Sequence, residues 1–146
     1  MNHSMNVTAS SADEPADIEP SKAEYEAIAN FRYVIRRFLR FSEQAARREG
    51  VTPQQHQLLL TIKGFPGRDY ATISELAHRL QMRQHSVVGL VDRTEALGLV
   101  RRRQGTEDRR QVFVSLTAAG DEKLHRLSAQ HRRELQNMRE ELLQVR

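Results

Sequence analysis

The sequence predicts a mainly α-helical protein in which two short helices and a small β-hairpin lie between two longer helices. Residues 72–80 and 84–97 each have helical periodicity, and only three residues separate them, as in a helix-turn-helix. Residues 99–103 and 111–116 read as strands around a polar stretch that contains a glycine, which is typical of a hairpin tip. A hairpin directly after a helix-turn-helix makes a winged helix-turn-helix.

Composition and length limit the class of protein. A chain of 146 residues with 38% hydrophobic residues suits one compact domain, but only 5% of its residues are aromatic, so we expect a thin core that needs a partner. No apolar run approaches the roughly 18 residues of a membrane span, and the N-terminus lacks a signal-peptide pattern. Cysteine is absent, which excludes disulfides, thiolate metal sites and thiol redox sensing. We therefore expect a soluble cytoplasmic protein.

The charge is unevenly distributed. The net charge is +4, yet the first twenty residues contain four acidic residues and neither Lys nor Arg, so the remainder carries +8. Such a basic remainder favours a polyanionic partner. Residues 1–20 have no apolar periodicity and end at a proline, which predicts a disordered acidic tail.

The first helix begins with the capping box of Ser21 and Glu24, and we expect it to run to about Glu49, with Gly50 at its end. Its apolar residues cover more than a single stripe: Tyr25, Ile28, Phe31, Val34, Ile35, Phe38, Leu39, Phe41 and Ala45. A helix apolar over so much of its circumference needs two burying surfaces, its own domain and, we expect, a second subunit.

Start and stop signals also delimit the next helices. Thr52, Pro53 and Gln55 form a capping box with proline at the first helical position, and this second helix should reach Gly64. Residues 65–69 are predicted to form a turn. Thr72 opens the first helix of the helix-turn-helix, with Glu75 completing its capping box, and Gly98 ends the second.

Thr117 is predicted to cap the last helix. Its apolar positions recur every three or four residues over about three heptads: Leu124, Leu127, His131, Leu135, Met138, Leu142 and Val145. Such a seam outside a small winged-helix core is expected to pack against another chain. The first and last helices should therefore form a shared dimerisation body.

The start of the second helix of the helix-turn-helix is wholly polar: Arg83, Gln84, His85 and Ser86. In helix-turn-helix proteins this end enters the major groove and reads base edges. Val88 either meets a thymine methyl group or packs in the core. The alternative for the polar residues is an ordinary solvated surface.

Five arginines cluster on the predicted hairpin: Arg101, Arg102, Arg103, Arg109 and Arg110. A wing so charged is suited to follow phosphates or to enter a narrow minor groove, and we select Arg103, Arg109 and Arg110 as DNA contacts. Asp108 is expected to hold an arginine in place rather than touch DNA. Thr72, as a helix cap, is expected to lie near a phosphate.

An Asp-Arg-Arg at residues 108–110 is followed by a strand and then by Leu-Thr-x-x-Gly at residues 116–120. With this wing and exit, residues 76–120 resemble the MarR family of bacterial transcriptional regulators. Residues 98–102 match the family's stretch that leaves the recognition helix, and the order of helices from Ser21 to the C-terminus fits as well. The resemblance covers roughly residues 21–146 as one MarR-like domain, with 21–49 and 117–146 for dimerisation and 52–116 as the winged helix-turn-helix.

The resemblance implies a cytoplasmic, nucleoid-associated homodimer that binds a pseudo-palindromic double-stranded operator and acts as a repressor. It further implies a small aromatic or phenolic anion, bound between the dimerisation helices and each winged helix. Here the candidate walls are Phe38, Phe41 and His56, with Arg37 or Arg40 for a carboxylate. The same residues are otherwise core and solvated surface.

Alternative functions receive less support. The histidines show no local spacing that favours zinc, so a metal-responsive regulator would need ligands from several elements. No nucleophile elbow, His-Glu-x-x-His or glycine-rich phosphate loop supports an enzyme, and no cofactor is expected. A winged helix that binds protein would tend to present apolar residues at 84–86, where this chain is polar.

Overall fold

A computed structural model describes residues 18–144, so most of the predicted acidic tail, 1–17, lies outside the described residues. The elements are α1 (Lys22–Arg48), α2 (Pro53–Lys63), β1 (Tyr70–Thr72), α3 (Ile73–Leu80), α4 (Gln84–Ala96), β2 (Val100–Gln104), β3 (Val112–Leu116) and α5 (Ala118–Leu143). The predicted class, mainly helical with a small sheet, is confirmed. Within this range no helix is both long and apolar enough to cross a membrane.

The capping boxes set the starts of three helices. Ser21, Thr52 and Thr72 each accept a hydrogen bond from the backbone amide three residues later, and the Glu or Gln at that position bonds back to the cap amide. Two orphan donors are thereby satisfied at each end. Thr117 caps α5 by accepting from the Gly120 amide at 3.1 Å.

The sheet has three strands in the order β1-β3-β2, all antiparallel. The sequence predicted only the hairpin of β2 and β3 and assigned no strand between the turn at 65–69 and Thr72. In the structure Tyr70, Ala71 and Thr72 pair with Ser115, Val114 and Phe113. Pairing across more than forty residues of chain creates this short strand, and its own sequence is too short to signal it.

The core lies where α2, α3, α4 and the inner face of the sheet meet. Its largest fully buried side chains include Leu58, Ile62, Leu76, Leu90 and Val114. The turn between α3 and α4 is held by Met82, whose backbone amide donates to Ala77 O at 3.0 Å. This core fixes how α4 is presented.

The two long helices pack against one another, α1 on α5. Only Val34, Ala45 and Ala46 of α1 are buried. Large apolar side chains stay about half exposed along the rest of α1: Tyr25, Ile28, Phe31, Tyr33 and Leu39. The expected second burying surface for α1 is therefore not supplied by the described part of the protomer.

Candidate nucleic-acid interface

The turn between α3 and α4 is three residues long, as the sequence predicted. Its first residue, Gln81, adopts the left-handed conformation with φ 53° and ends α3. This conformation is unusual for a residue with a Cβ, and here the Gln81 side chain bonds the carbonyl of His78 at 2.6 Å. The turn places the start of α4 at the surface.

The first turn of α4 presents polar side chains to solvent. Arg83 is the N-cap residue and makes no side-chain cap hydrogen bond. Arg83, Gln84 and His85 are exposed, and Ser86 is half-buried. Gln84 Nε2 donates to Ser74 Oγ at 2.8 Å, which links the starts of α4 and α3. Because backbone amides at a helix start are positively polarised, this end suits a phosphate as well as base edges.

The opposite side of α4 anchors it. Val87, Leu90 and Val91 are almost completely buried, whereas Val88 is 40% exposed. Val88 follows Gln84 by one helical turn and lies on the same side of the helix. Of the two interpretations left open for Val88, the structure therefore favours a surface position over core packing.

The wing tip is ordered by its own polar contacts. Gly105 N donates to Gln111 O at 2.8 Å, and Gln104 Nε2 donates to Arg109 O at 2.7 Å. Asp108 Oδ1 accepts from Arg110 N at 3.0 Å and from Arg110 Nε at 3.3 Å. The carboxylate thus orients Arg110, while Arg109 is exposed.

The other hairpin arginines do not form one cluster with the tip. Arg102 lies on the inner face of the sheet, where it bonds Glu95 Oε1 at 2.9 Å and also pairs with Asp92. It therefore ties β2 to α4 instead of facing a phosphate. Arg101 and Arg103 alternate with Arg102 along β2 and lie on the outer face. The sequence showed five arginines but not this division.

Three of the five candidate effector residues lie together around His131. Ring centroids of Phe38, Phe41 and His56 lie 5.9, 5.3 and 4.9 Å from that of His131. Arg37 Nη1 instead bonds Glu141 Oε2 at 2.8 Å, beside a recess of about 50 Å³, and Arg40 is exposed. The cluster joins α1, α2 and α5.

The two buried histidines differ in their hydrogen bonds. His131 Nδ1 lies 2.6 Å from Leu127 O and Nε2 lies 2.9 Å from Ser42 Oγ, so a neutral ring donates to the carbonyl and accepts from the hydroxyl. His56 Nδ1 is buried and has no partner among the described residues. Burial, and then the nearby His131, lower the pKa of His56 to about 4.

His56 should make folding stability depend on pH. Its pKa is about 4 in the fold and 6.5 ordinarily, so the unfolded chain binds the proton more readily. Stability is therefore fully present above pH 6.5 and falls as the pH drops toward 4, by about 2–3 kcal/mol. Urea unfolding at pH 6.5 and at pH 4 should show that His56→Gln loses less free energy of unfolding between the two pH values than the wild type does. The exposed His125→Gln should behave as wild type, and parallel losses in all three would contradict this assignment.

Metal binding gains no support from these histidines. His78, His85 and His125 are exposed on different elements. Across residues 18–144 no three His, Asp or Glu side chains stand close enough together to hold a metal ion.

The fold and the exposed start of α4 define a winged helix-turn-helix protein. A family model described as the MarR family matches residues 49–111. The HTH-type transcriptional repressor MdtR of Bacillus subtilis is 33% identical over 86 residues, covering 59% of this chain and 54% of that protein. This chain thus spans about half the length of the curated relatives that it matches.

Solved structures show the same architecture. The MarR family transcription regulator SP03579 is 28% identical, with a TM-score of 0.68 over 80% of this chain and 75% of that one. Bordetella bronchiseptica BpsR, described by its regulation of DNA binding by 6-hydroxynicotinic acid, is 20% identical, with a TM-score of 0.59 over 73% of this chain and 74% of that one. At that identity the likeness shows the fold alone. Residues 49–111 thus match the model of the MarR family, and the chain shares the fold of the MarR family regulator SP03579.

Proposed function

We propose that the protein is a homodimeric, sequence-specific repressor that binds double-stranded DNA and is released by a small aromatic or phenolic anion. The observation that carries DNA binding is the surface of α4. Gln84 and His85 are exposed at its uncapped start, and Val88 continues the same side. Hydrogen-bonding groups with one exposed methyl-bearing side chain match what base edges in the major groove offer. A protein-binding helix would instead expose several apolar residues there.

The charges favour the same partner. Outside the first twenty residues the chain carries +8, and Arg109 has no carboxylate within 4 Å in the described range. An unpaired arginine at a wing tip keeps its five donors for phosphate oxygens. Each phosphate contact releases condensed counterions, which makes the affinity depend on salt.

A two-fold dimer sets the form of the operator. Two symmetry-related α4 helices should read a pseudo-palindrome with half-sites about one helical turn, ~10 bp, apart. Footprinting on the DNA upstream of the protein's own gene, beside an unrelated fragment at the same salt, tests this. Equal affinity for both fragments would exclude sequence-specific regulation.

The wing arginines should contribute affinity without specificity. Arg109→Gln and Arg110→Gln are expected to weaken binding to all sequences and to lower the slope of log affinity against log salt by about 0.9 for each lost contact. Fluorescence anisotropy over a series of salt concentrations measures both effects. Arg47→Gln, which removes an exposed arginine from the end of α1, should change neither.

If Arg47→Gln lowers the slope as much as the wing variants, the contribution is one of net charge and not of wing contacts. Asp108→Asn separates the roles within the wing. This substitution should leave the contacts of Arg109 unchanged. It should release the Arg110 side chain from the Asp108 carboxylate, which orients it.

Base reading should reside at the start of α4. Gln84→Ala and Ser86→Ala are expected to change which operator positions are discriminated, at a cost of about 1–3 kcal/mol where a base contact is lost. Because Gln84 also bonds Ser74 Oγ, Ser74→Ala is the matched control. If Ser74→Ala changes sequence preference as Gln84→Ala does, then Gln84 acts by positioning α4.

The proposed effector site is the cluster of Phe38, Phe41 and His56 around His131. Supporting it are the aromatic walls, the unpaired Nδ1 of buried His56 and the proximity of Arg37. The nearby recess of about 50 Å³ is smaller than the ~150 Å³ cavity that accepts benzene. A ligand must therefore displace side chains or use space that a second subunit creates.

Titrating salicylate-like anions into the protein–operator complex tests the effector. A ten-fold loss of DNA affinity requires that the ligand favour the DNA-free form by only ~1.4 kcal/mol. The loss should disappear in Phe41→Ala. If millimolar ligand neither releases DNA nor shifts the thermal midpoint, this site is not an effector site.

A further inference from the structure

We propose a second binding site, on the outer face of the three-stranded sheet, for a single-ring aromatic carboxylate. The site is a cleft of about 490 Å³ between this face, the end of α2 and the start of α5. That volume lies within the roughly 300–1,000 Å³ of small-molecule sites. It goes beyond the proposed function, because it is separate from both α4 and the cluster around His131 and shares only Arg103 with the wing residues selected as DNA contacts.

Strand register places the lining side chains in two rows. Tyr70, Ser115 and Arg101 are aligned across β1, β3 and β2, and Phe113 is aligned with Arg103 one step along. Directly paired residues share a face of an antiparallel sheet, with Cβ atoms about 4.5–5.5 Å apart. The five side chains therefore line one area of the sheet. Ser115 lies at the centre of this area, and its small side chain leaves the cleft open there.

One side of the cleft is positively charged. Neither Arg101 nor Arg103 has a carboxylate within 4 Å in residues 18–144, in contrast to Arg102 on the inner face. At the opposite side Lys63 Nζ is already paired with Asp121 Oδ1 at 2.9 Å. Two guanidinium groups without a carboxylate partner, at alternate residues on one face of β2, offer bidentate donors to a carboxylate.

The floor beside the arginines is aromatic. Tyr70 and Phe113 meet edge to face, with ring centroids 5.2 Å apart and planes at 82°. Tyr70 is 40% exposed. Such rings contact another planar ring favourably, by stacking or edge to face. A carboxylate at the arginines and a ring at Tyr70 and Phe113 satisfy both halves of the cleft, whereas an inorganic anion uses only one.

Ring hydroxyls have acceptors as well. Asp69 lines the cleft beside Tyr70, and Asp121 lines it beside Lys63. A phenolic hydroxyl donates readily to a carboxylate, and this arrangement puts donors for the ligand's anion at one side and acceptors for its hydroxyl at the other. The preferred ligand is therefore a hydroxylated aromatic carboxylate.

The test uses the full chain without DNA, so its outcome is independent of operator binding. Titration of 4-hydroxybenzoate, followed by calorimetry and by NMR shifts, should perturb the Phe113 ring and the Ser115 amide. Arg101→Gln should weaken binding at least about ten-fold, because it removes a charge-assisted bidentate contact. Ser115→Leu should abolish binding by filling the cleft. Arg36→Gln, an exposed arginine on α1, should bind as wild type.

Several results would overturn the site. These are unchanged affinity in Arg101→Gln with an unchanged thermal midpoint, shifts centred on Phe38 and Phe41 in place of Phe113, or equal binding of the uncharged 4-hydroxybenzamide. Displacement of the probe by inorganic phosphate at the probe's own concentration would also overturn it, since the cleft would then hold any anion. Arg101→Gln keeps the test valid if Ser115→Leu fails to fold, because Arg101 is exposed.

Discussion

Replacing Gly120 with alanine is expected to destabilise the fold more than any other single methyl group added to the described glycines. Gly120 is buried in the first turn of α5, directly against the turn that leaves α4. A Cβ there would lie deep inside the van der Waals surface of the Leu99 carbonyl oxygen, and 3.4 Å from Leu116 Cγ. Because the Leu99 atoms are backbone, a simple change of rotamer cannot relieve the contact.

The Leu99 carbonyl is itself fixed. It accepts from Thr117 N at 3.0 Å, while Thr117 Oγ1 donates to Gly98 O at 2.6 Å. Adding volume here must break this junction between α4, β2 and α5. Overpacking typically costs 1–3 kcal/mol, and we expect about 3 kcal/mol or more because the obstacle is backbone. With total stabilities of about 5–15 kcal/mol, much of the free energy of unfolding is lost.

Gly89→Ala is the matched control, because Gly89 is also helical. Its added Cβ would meet only Arg93 Nη1, at 3.3 Å, which is the end of a flexible side chain. Removing glycine from a helix interior then stabilises by up to about 1 kcal/mol. Urea unfolding followed by circular dichroism should give shifts of opposite sign for the two variants. Equal shifts would mean that helix propensity, and not the Leu99 contact, governs both positions.

Local signals in the sequence were sufficient to place the helices. The starts of α1, α2, α3 and α5 depend on contacts within four residues, such as Ser21 with Glu24 and Thr72 with Glu75, so the sequence itself contains both partners. Glycine marked the ends in the same local way: Gly50 and Gly98 adopt φ of 76° and 75° just after the C-cap residues of α1 and α4.

Contacts between distant residues limited the rest. The strand β1 exists because Ala71 pairs with Val114, and no local pattern of three residues specifies that partner. The sequence grouped Arg102 with the other hairpin arginines, because its partners Asp92 and Glu95 belong to another element. Alternation along β2 predicts that Arg101 and Arg103 share a face opposite to Arg102, and this signal was available in the sequence.

The candidate effector residues show the same division. Their aromatic character was visible in the sequence, and Phe38 and Phe41 lie three positions apart on one helix. His131 was assigned only to the seam of the last helix, yet its ring lies against Phe38, Phe41 and His56. Which helices meet at that point is a property of tertiary packing, since α5 reaches α1 across about ninety residues of chain.

The half-exposed apolar residues of α1 and α5 lead to the second large expected effect, on dimerisation. Tyr25, Ile28 and Phe31 are 51–55% exposed on α1, and Leu135 and Leu143 are 47% and 72% exposed on α5. The two helices pack against each other, and Arg37 in the middle of α1 pairs with Glu141 near the end of α5. We therefore expect a continuous apolar surface that a second copy of the chain covers.

Placing charges in that surface should dissociate the dimer. Leu135→Glu with Met138→Glu puts two carboxylates at adjacent positions of one side of α5, where burial without a partner costs several kcal/mol. The dissociation constant should rise at least ~100-fold, equivalent to about 2.7 kcal/mol. Sedimentation at micromolar concentration should show a dimer for the wild type and for Gln136→Glu, which adds a charge on the exposed side of the same turn. A folded wild-type monomer, or a double variant that remains dimeric, would place the dimer interface elsewhere.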